Sequence, residues 1–490
     1  MADSGIKSGS VNKAVSPGDW MTSVRLPAIA LLSSWMVALV ALQDEPWRVS
    51  LFVCAYAAVV AVFFACSRGQ KTWDLLHPAP GLFLLILLYA LSSALFAEAQ
   101  ETTYYGEPLI EGVYWRYYAA CLLGVAGLAA GLYVGGLLRP ARTVKSSHQS
   151  AENDALNRIM LRTVVVLCLL TFPWVFGKLN FLAVKAYREV ALSVRVERLA
   201  DEAAGIFEVL TVYLPVTLML VVCVRFMRSV SAPLIARLTG AAIFLAYLAT
   251  GFLAGERYTI LFCGILVVVY QHYWVKPITP SAALVGGAFA YLLMNLIPIV
   301  RYTSDPLLMI QIFTDVVQRD GLDEFSLGKS NELLTATNLH RQIQGLMLGE
   351  APYNYGLSIL TDLLAWIPRL VYPNRPLPSS EQFVDVFYPG VRETGGGYGF
   401  FIIQEGYWAL GLVGCFLFMA LFGFLVERVH ALAMRFRHLE FAILWYAAVY
   451  ADLVMASVRS GIVGSFKAAL LHSAPFILIL FVYQFKQWRK

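Results

Sequence analysis

The sequence predicts an all-α polytopic membrane protein, with about twelve transmembrane helices and one large, partly helical periplasmic loop. Composition is the first reason. Of 490 residues, 59% are hydrophobic and only 14% charged, and mean hydropathy is +0.66. Soluble domains carry about a quarter charged residues, so a soluble chain of this make-up would expose large apolar patches. The second reason is length: the apolar residues come in runs of about 20, enough for a helix to cross the hydrocarbon core. The third is charge, because Lys and Arg sort by side of the membrane.

The runs lie near 25–42, 48–66, 80–97, 118–137, 159–177, 205–225, 237–254, 257–275, 281–300, 401–426, 440–457 and 461–485. They divide the chain into a tail (1–24), helices one to nine (25–300) with an outer loop at 178–204, the large loop (301–400), helices ten to twelve (401–485) and a short tail (486–490). If the first tail is inside, the inner segments hold roughly twice as many Lys and Arg as the short outer ones. Prominent among them are "RPARTVKSSH" (139–148), "RFMRS" (225–229), "ERVHALAMRFRH" (427–438) and "KQWRK" (486–490). Both termini are therefore expected in the cytoplasm of a bacterial inner membrane, with the 301–400 loop in the periplasm. The first twenty residues lack a signal-peptide core, so the first helix is expected to be an uncleaved anchor.

Net charge is only +5 and the cations fall in short loops, which argues against nucleic-acid partners. All seven cysteines lie in or beside apolar runs without CxxC spacing, and read as small buried hydrophobes. No HExxH, DxD, GxSxG or P-loop pattern appears.

The outer loops carry helical patterning of their own. In 178–204, Leu192, Val196, Leu199 and Ala203 share one stripe, and Arg188, Arg195 and Arg198 form a basic stripe beside it. In the large loop, 306–318 and 331–348 show helical spacing. The stretch 355–373 is apolar but short, as suits an interfacial or re-entrant helix, and the Pro- and Gly-rich 374–399 reads as irregular backbone.

Topology gathers the unexplained charge on the outer face. Glu256 and Arg257 form the corner between helices seven and eight, Arg301 follows helix nine, and Arg459 lies in the turn "SVRSG". Arg392 lies within the large loop. Arginine holds a planar fork that binds phosphate bidentately and stays charged. Any one of these arginines could instead pair with an acid or snorkel to lipid phosphates. Glu405 opens helix ten, where an acid faces either a polar cavity or a cationic partner. His340 is a candidate base, although Leu333, Ala336, Ile343 and Met347 share its face and point to packing. Tyr398, in "GGGYG", is placed to contact a sugar. Within the apolar runs, Lys467 and Arg162 are cations a transporter would use.

The order of "GER" after helix seven, "RYTSDP", "YNYGLSILTDLLAWIPRLVYPNRP" and "GGGYGFFIIQEGYWALGLVG" resembles the bacterial O-antigen and oligosaccharide repeat-unit polymerases of the Wzy type, over roughly residues 180 to 470. The family's loop arginine ten residues before a glycine has no clean counterpart, since Ser380 and Val386 stand eleven positions after Arg369 and Arg375. The resemblance implies a metal-independent glycosyltransferase without a cofactor. It would move a growing glycan from undecaprenyl diphosphate onto the terminal sugar of a new lipid-linked repeat. Donor and acceptor lipids, membrane lipids and a chain-length-determinant protein are the partners it implies. Arginines, with Arg257, Arg301 and Arg459 foremost, would stabilise the departing diphosphate, and Glu324, His340 or Glu405 would take the acceptor's proton. An O-antigen ligase and a lipid-linked oligosaccharide flippase are the alternative expectations.

Overall fold

The computed structural model describes residues 46–67, 74–102, 106–138, 149–171, 214–229, 232–253, 256–301, 333–367, 371–392 and 398–488, with isolated positions between 302 and 332. Among the described residues all regular structure is helical. The β-type pairings there are two isolated bridges, Thr102 with Pro108 and Phe400 with Ser460.

Nine described helices are long and apolar enough to cross a membrane: Arg48–Cys66, Pro78–Gln100, Glu111–Leu137, Leu234–Phe252, Arg257–Val275, Pro280–Ile297, Ile402–Arg435, Glu440–Ser460 and Ile462–Trp488. They coincide with nine of the twelve expected runs and make this a multi-pass membrane protein. The 25–42 run lies outside the described residues, and 159–177 and 205–225 are described in part, within helices Gln149–Leu170 and Leu214–Arg228.

We name the helices α1 (Pro46–Cys66), α2 (Pro78–Gln100), α3 (Glu111–Leu137), α4 (Gln149–Leu170), α5 (Leu214–Arg228), α6 (Leu234–Leu253), α7 (Arg257–Tyr270) and α8 (Pro280–Arg301). They continue as α9 (Thr337–Leu348), α10 (Leu357–Leu364), α11 (Ser379–Phe387), α12 (Ile402–Arg435), α13 (Glu440–Tyr450) and α14 (Ile462–Trp488). Helix α7 runs on into a π-helical turn, Gln271–Val275, and α13 into another, Ala451–Ala456, followed by Ser457–Ser460.

The tightest helix pair is α3 with α12. Gly127, Gly131 and Gly135 recur at four-residue spacing on one face of α3. A Cβ at Gly127 or Gly131 would strike the backbone of Phe416 or Ala420, and one at Gly423 would meet Leu128. Small residues at this spacing let two backbones touch, which is how helices associate when lipid is as apolar as leucine.

Helix α12 covers the run expected near 401–426 but is not continuous. Leu410 (φ −142, ψ 24) and Gly411 (φ 60, ψ −139) break it, so a short helix ends at Ala409 and the spanning part begins after the break. The carbonyls freed at Trp408 and Ala409 accept the N–H groups of Asn354 (3.0 Å) and Tyr355 (3.1 Å). Broken backbone at membrane depth requires such replacement partners. Glu405 therefore belongs to the short helix, not to the spanning one.

The 333–392 segment packs on the ends of α2, α3, α12 and α14. Helix α9 forms where the spacing of apolar residues predicts it, and α10 lies within the short apolar stretch 355–373. The expectation of irregular backbone over 374–399 is corrected by α11. Its stripe of Phe383, Val384 and Phe387 is buried. The Asp362 carboxylate caps it, accepting from Ser379 N (2.5 Å) and Oγ (2.6 Å). A cap supplied from another helix outweighs the flanking prolines. Burial pushes the Asp362 carboxyl up, opposed by these hydrogen bonds and by Lys467.

Candidate functional site

Glu256 is the exposed residue before α7, and its carboxylate accepts the Thr259 hydroxyl at 2.8 Å. Arg257 is the first residue of that helix, and Arg459 sits in the last turn before α14. Tyr258 and Ser460, their chain neighbours, line one cavity, so the two helix ends stand side by side.

Around Arg459 the chain is closely tied. Its carbonyl accepts the Phe400 N–H at 2.8 Å, and its side chain lies over Gly399, where a Cβ would come within 2.9 Å of Arg459 Cγ. The next residue but one, Gly461, has φ +73, and a Cβ there would stand 3.1 Å from Glu405 Oε2. Only glycine suits that corner on both counts. Glu405 is fully buried and its Oε2 accepts the Ile462 N–H at 2.7 Å, so it caps α14 from a neighbouring helix. A carboxylate at a helix N-terminus is a stabilising arrangement, and it gives Glu405 structural work.

Of the other residues that the sequence singles out, His340 and Arg392 have partners of their own. His340 is buried, bonded through Nδ1 to Ser93 Oγ (3.1 Å) and stacked 3.8 Å from the Tyr117 ring. Burial pushes it down to about 3, so it is a neutral packing residue at ordinary pH. Arg392 pairs with Glu381 (3.1 Å) and Asp385 (2.9 Å), both on α11. Tyr398 stands edge-on to Tyr388 with centroids 4.6 Å apart. Tyr388 donates to Asn338 Oδ1 (2.9 Å), and Asn338 donates to the Gly399 carbonyl (2.8 Å), which links α9 to the strip under Arg459. Arg301 closes α8, and its side chain lies outside the described residues, as do Glu324, Arg188 and Arg195.

Sequence reasoning missed a buried polar pair within the spans. Asp452 is fully buried, and accepts from the Tyr258 hydroxyl (2.5 Å) and pairs with His472 Nδ1 (2.7 Å). It sits in the π-helical turn Ala451–Ala456, and such turns often occur at functional sites. Asp452 lies roughly 12 Å along its helix from Ser460, and His472 roughly 15 Å from Ile462, at 1.5 Å per residue. A cavity of about 270 Å³ is lined by Tyr258, Asp452, Ser460, Ser465, Lys467 and His472 among small apolar residues. Tyr258 and Ser460 adjoin Arg257 and Arg459 in the chain and are exposed, whereas Asp452 and His472 are buried. The signal is present in "YADLVMA" and "LLHSAP", because ionisable residues within a span mark function by default. Among the described residues, no cluster of three His, Cys, Asp or Glu side chains could hold a metal ion.

No protein-family model, curated protein or solved structure matches this chain.

Proposed function

We propose that this chain is a polysaccharide polymerase, joining undecaprenyl-diphosphate-linked oligosaccharide repeats at the periplasmic face of a bacterial inner membrane. The observation that carries the reading is that Tyr258 and Ser460, the chain neighbours of Arg257 and Arg459 at two separate helix ends, border one cavity. Transfer from a lipid diphosphate makes a leaving group that gains negative charge, and fixed arginines stabilise such charge where it develops. The motif order supports the same family, and the positive-inside pattern favours the periplasm for this end. A lipid-linked substrate reaches the site sideways between helices.

Deleting the gene in a strain with a known surface polysaccharide tests the reading. Loss of a polymerase leaves single capped repeats on the surface. Loss of an O-antigen ligase leaves none and strands polymer on the carrier. Arg257→Ala and Arg459→Ala should each abolish the chain-length ladder while the protein still accumulates; wild-type ladders in both remove the diphosphate clamp.

One observation favours a second reading, a lipid-linked oligosaccharide flippase: Asp452 and His472 pair inside spanning helices, as coupling residues in transporters do. A flippase deletion leaves the repeats unexported, with no capped single repeat at the surface.

A further inference from the structure

The Asp452–His472 pair has an orientation that assigns a role. His472 Nδ1 faces a carboxylate oxygen of Asp452 at 2.7 Å. A carboxylate only accepts, so Nδ1 carries the hydrogen and donates it, which leaves Nε2 as the nitrogen able to take a proton. Asp452 is held in turn by the Tyr258 hydroxyl on its other oxygen. The His472 ring is stacked on Phe262 with centroids 4.8 Å apart, which fixes its plane. The ring also lines the cavity that Tyr258 and Ser460 border at the Arg257 and Arg459 end. Nucleophile activation by an oriented histidine uses a base held by a third group, and here that ring lines a cavity.

We propose that this cavity is the acceptor-sugar subsite, in which His472 takes the proton of the attacking hydroxyl and Asp452 positions the ring. The inference deepens the polymerase reading and rests on it. At about 270 Å³ the cavity lies just below the ordinary range of small-ligand pockets, which suits one terminal sugar ring and not a whole repeat. In the step, the acceptor oxygen bonds to the anomeric carbon as its proton passes to His472 Nε2. The bond from that carbon to the phosphate oxygen breaks, and the lipid diphosphate leaves with the electron pair against Arg257 and Arg459. The charged and titratable groups that line the cavity with His472 are Asp452 from the turn that ends α13, Tyr258 from α7 and Lys467 from its own helix.

The test uses membranes of a deletion strain as the source of unpolymerised lipid-linked repeat, with purified full-length protein added in detergent. His472→Gln should lower the turnover rate by about 10²–10⁴-fold, the span of general-base contributions, while leaving the KM for the lipid-linked repeat within about twofold. The loss of rate at acid pH expected of the wild type should be absent from its residual activity. Asp452→Asn should lower the rate and Asp452→Glu should restore part of it. Tyr258→Phe, which deletes one oxygen and keeps the ring, should cost less than either and guards against a folding defect. If repeat accumulates but His472→Gln and Asp452→Asn keep the wild-type rate and pH profile, the base assignment is overturned and the polymerase reading stands. If the deletion strain accumulates no lipid-linked repeat, both fall together.

Discussion

Two aspartate–histidine pairs lie toward opposite ends of this bundle, each with one partner in a π-helical turn, and their surroundings give them different work. Asp74 and His272 meet at 2.6 Å, with His272 in the turn that ends α7. Its Nδ1 accepts the Ile278 N–H at 3.1 Å, so Nε2 carries the hydrogen and donates it to Asp74. Both ring nitrogens are committed to holding a chain reversal, and protonation would break one of the bonds. Nearby, His77 shows the same logic: Nδ1 accepts the Ala79 N–H (3.2 Å) at the start of α2, and Nε2 faces Glu427 at 3.0 Å. His472 instead turns Nδ1 to a carboxylate and borders a cavity. A buried histidine is informative about function only once the partners of each nitrogen are known.

The comparison is broken or sharpened by a graded series. The largest structural effect is expected from Glu427→Ala, which strands His77 in a fully buried site. It should cost about 3 kcal/mol, the upper end for a buried polar group left without its partner, read as loss of folded protein in detergent melting. His272→Asn should cost about 1–3 kcal/mol in the same measurement, with the pH profile of the remaining activity unchanged. His340 adds an acid-sensitive contribution of its own. Its folded ring stays neutral down to about 3, whereas an unfolded histidine takes its proton near pH 6.5. Stability from this residue is therefore full above about 6.5 and falls as pH drops from there toward 3, and His340→Gln should flatten that part of the acid melting curve. The smallest effect is expected from Arg392→Gln. Its pairs with Glu381 and Asp385 are about a third or more exposed on both sides, which limits them to about 0–1 kcal/mol.

Much of this fold is legible in the sequence, because a membrane span is a property of composition over about 20 residues and needs no tertiary information. Helix α9 is readable for a similar reason, as its apolar spacing is local. The break at Leu410 and Gly411 is not, since it depends on Asn354 and Tyr355 arriving from the 333–392 segment to take the freed carbonyls. Helix α11 is hidden likewise, its cap coming from Asp362. At the site, Arg257 and Arg459 can be flagged by position alone, but Glu405 cannot be assigned, because its partner is the N–H of Ile462 across a glycine corner. Asp452 and His472 stand 20 residues apart on different helices. Each alone is one polar residue in an apolar run, and only the fold makes them a pair.

The most direct measurement is release of undecaprenyl diphosphate from deletion-strain membranes, followed together with the glycan ladder for three proteins. Wild type and His272→Asn should both release the carrier and extend the ladder in step, whereas His472→Gln should do neither above about one hundredth of the wild-type rate. Equal release by all three, or loss in His272→Asn with retention in His472→Gln, would contradict the assignment of the chemistry to the Arg257 and Arg459 end.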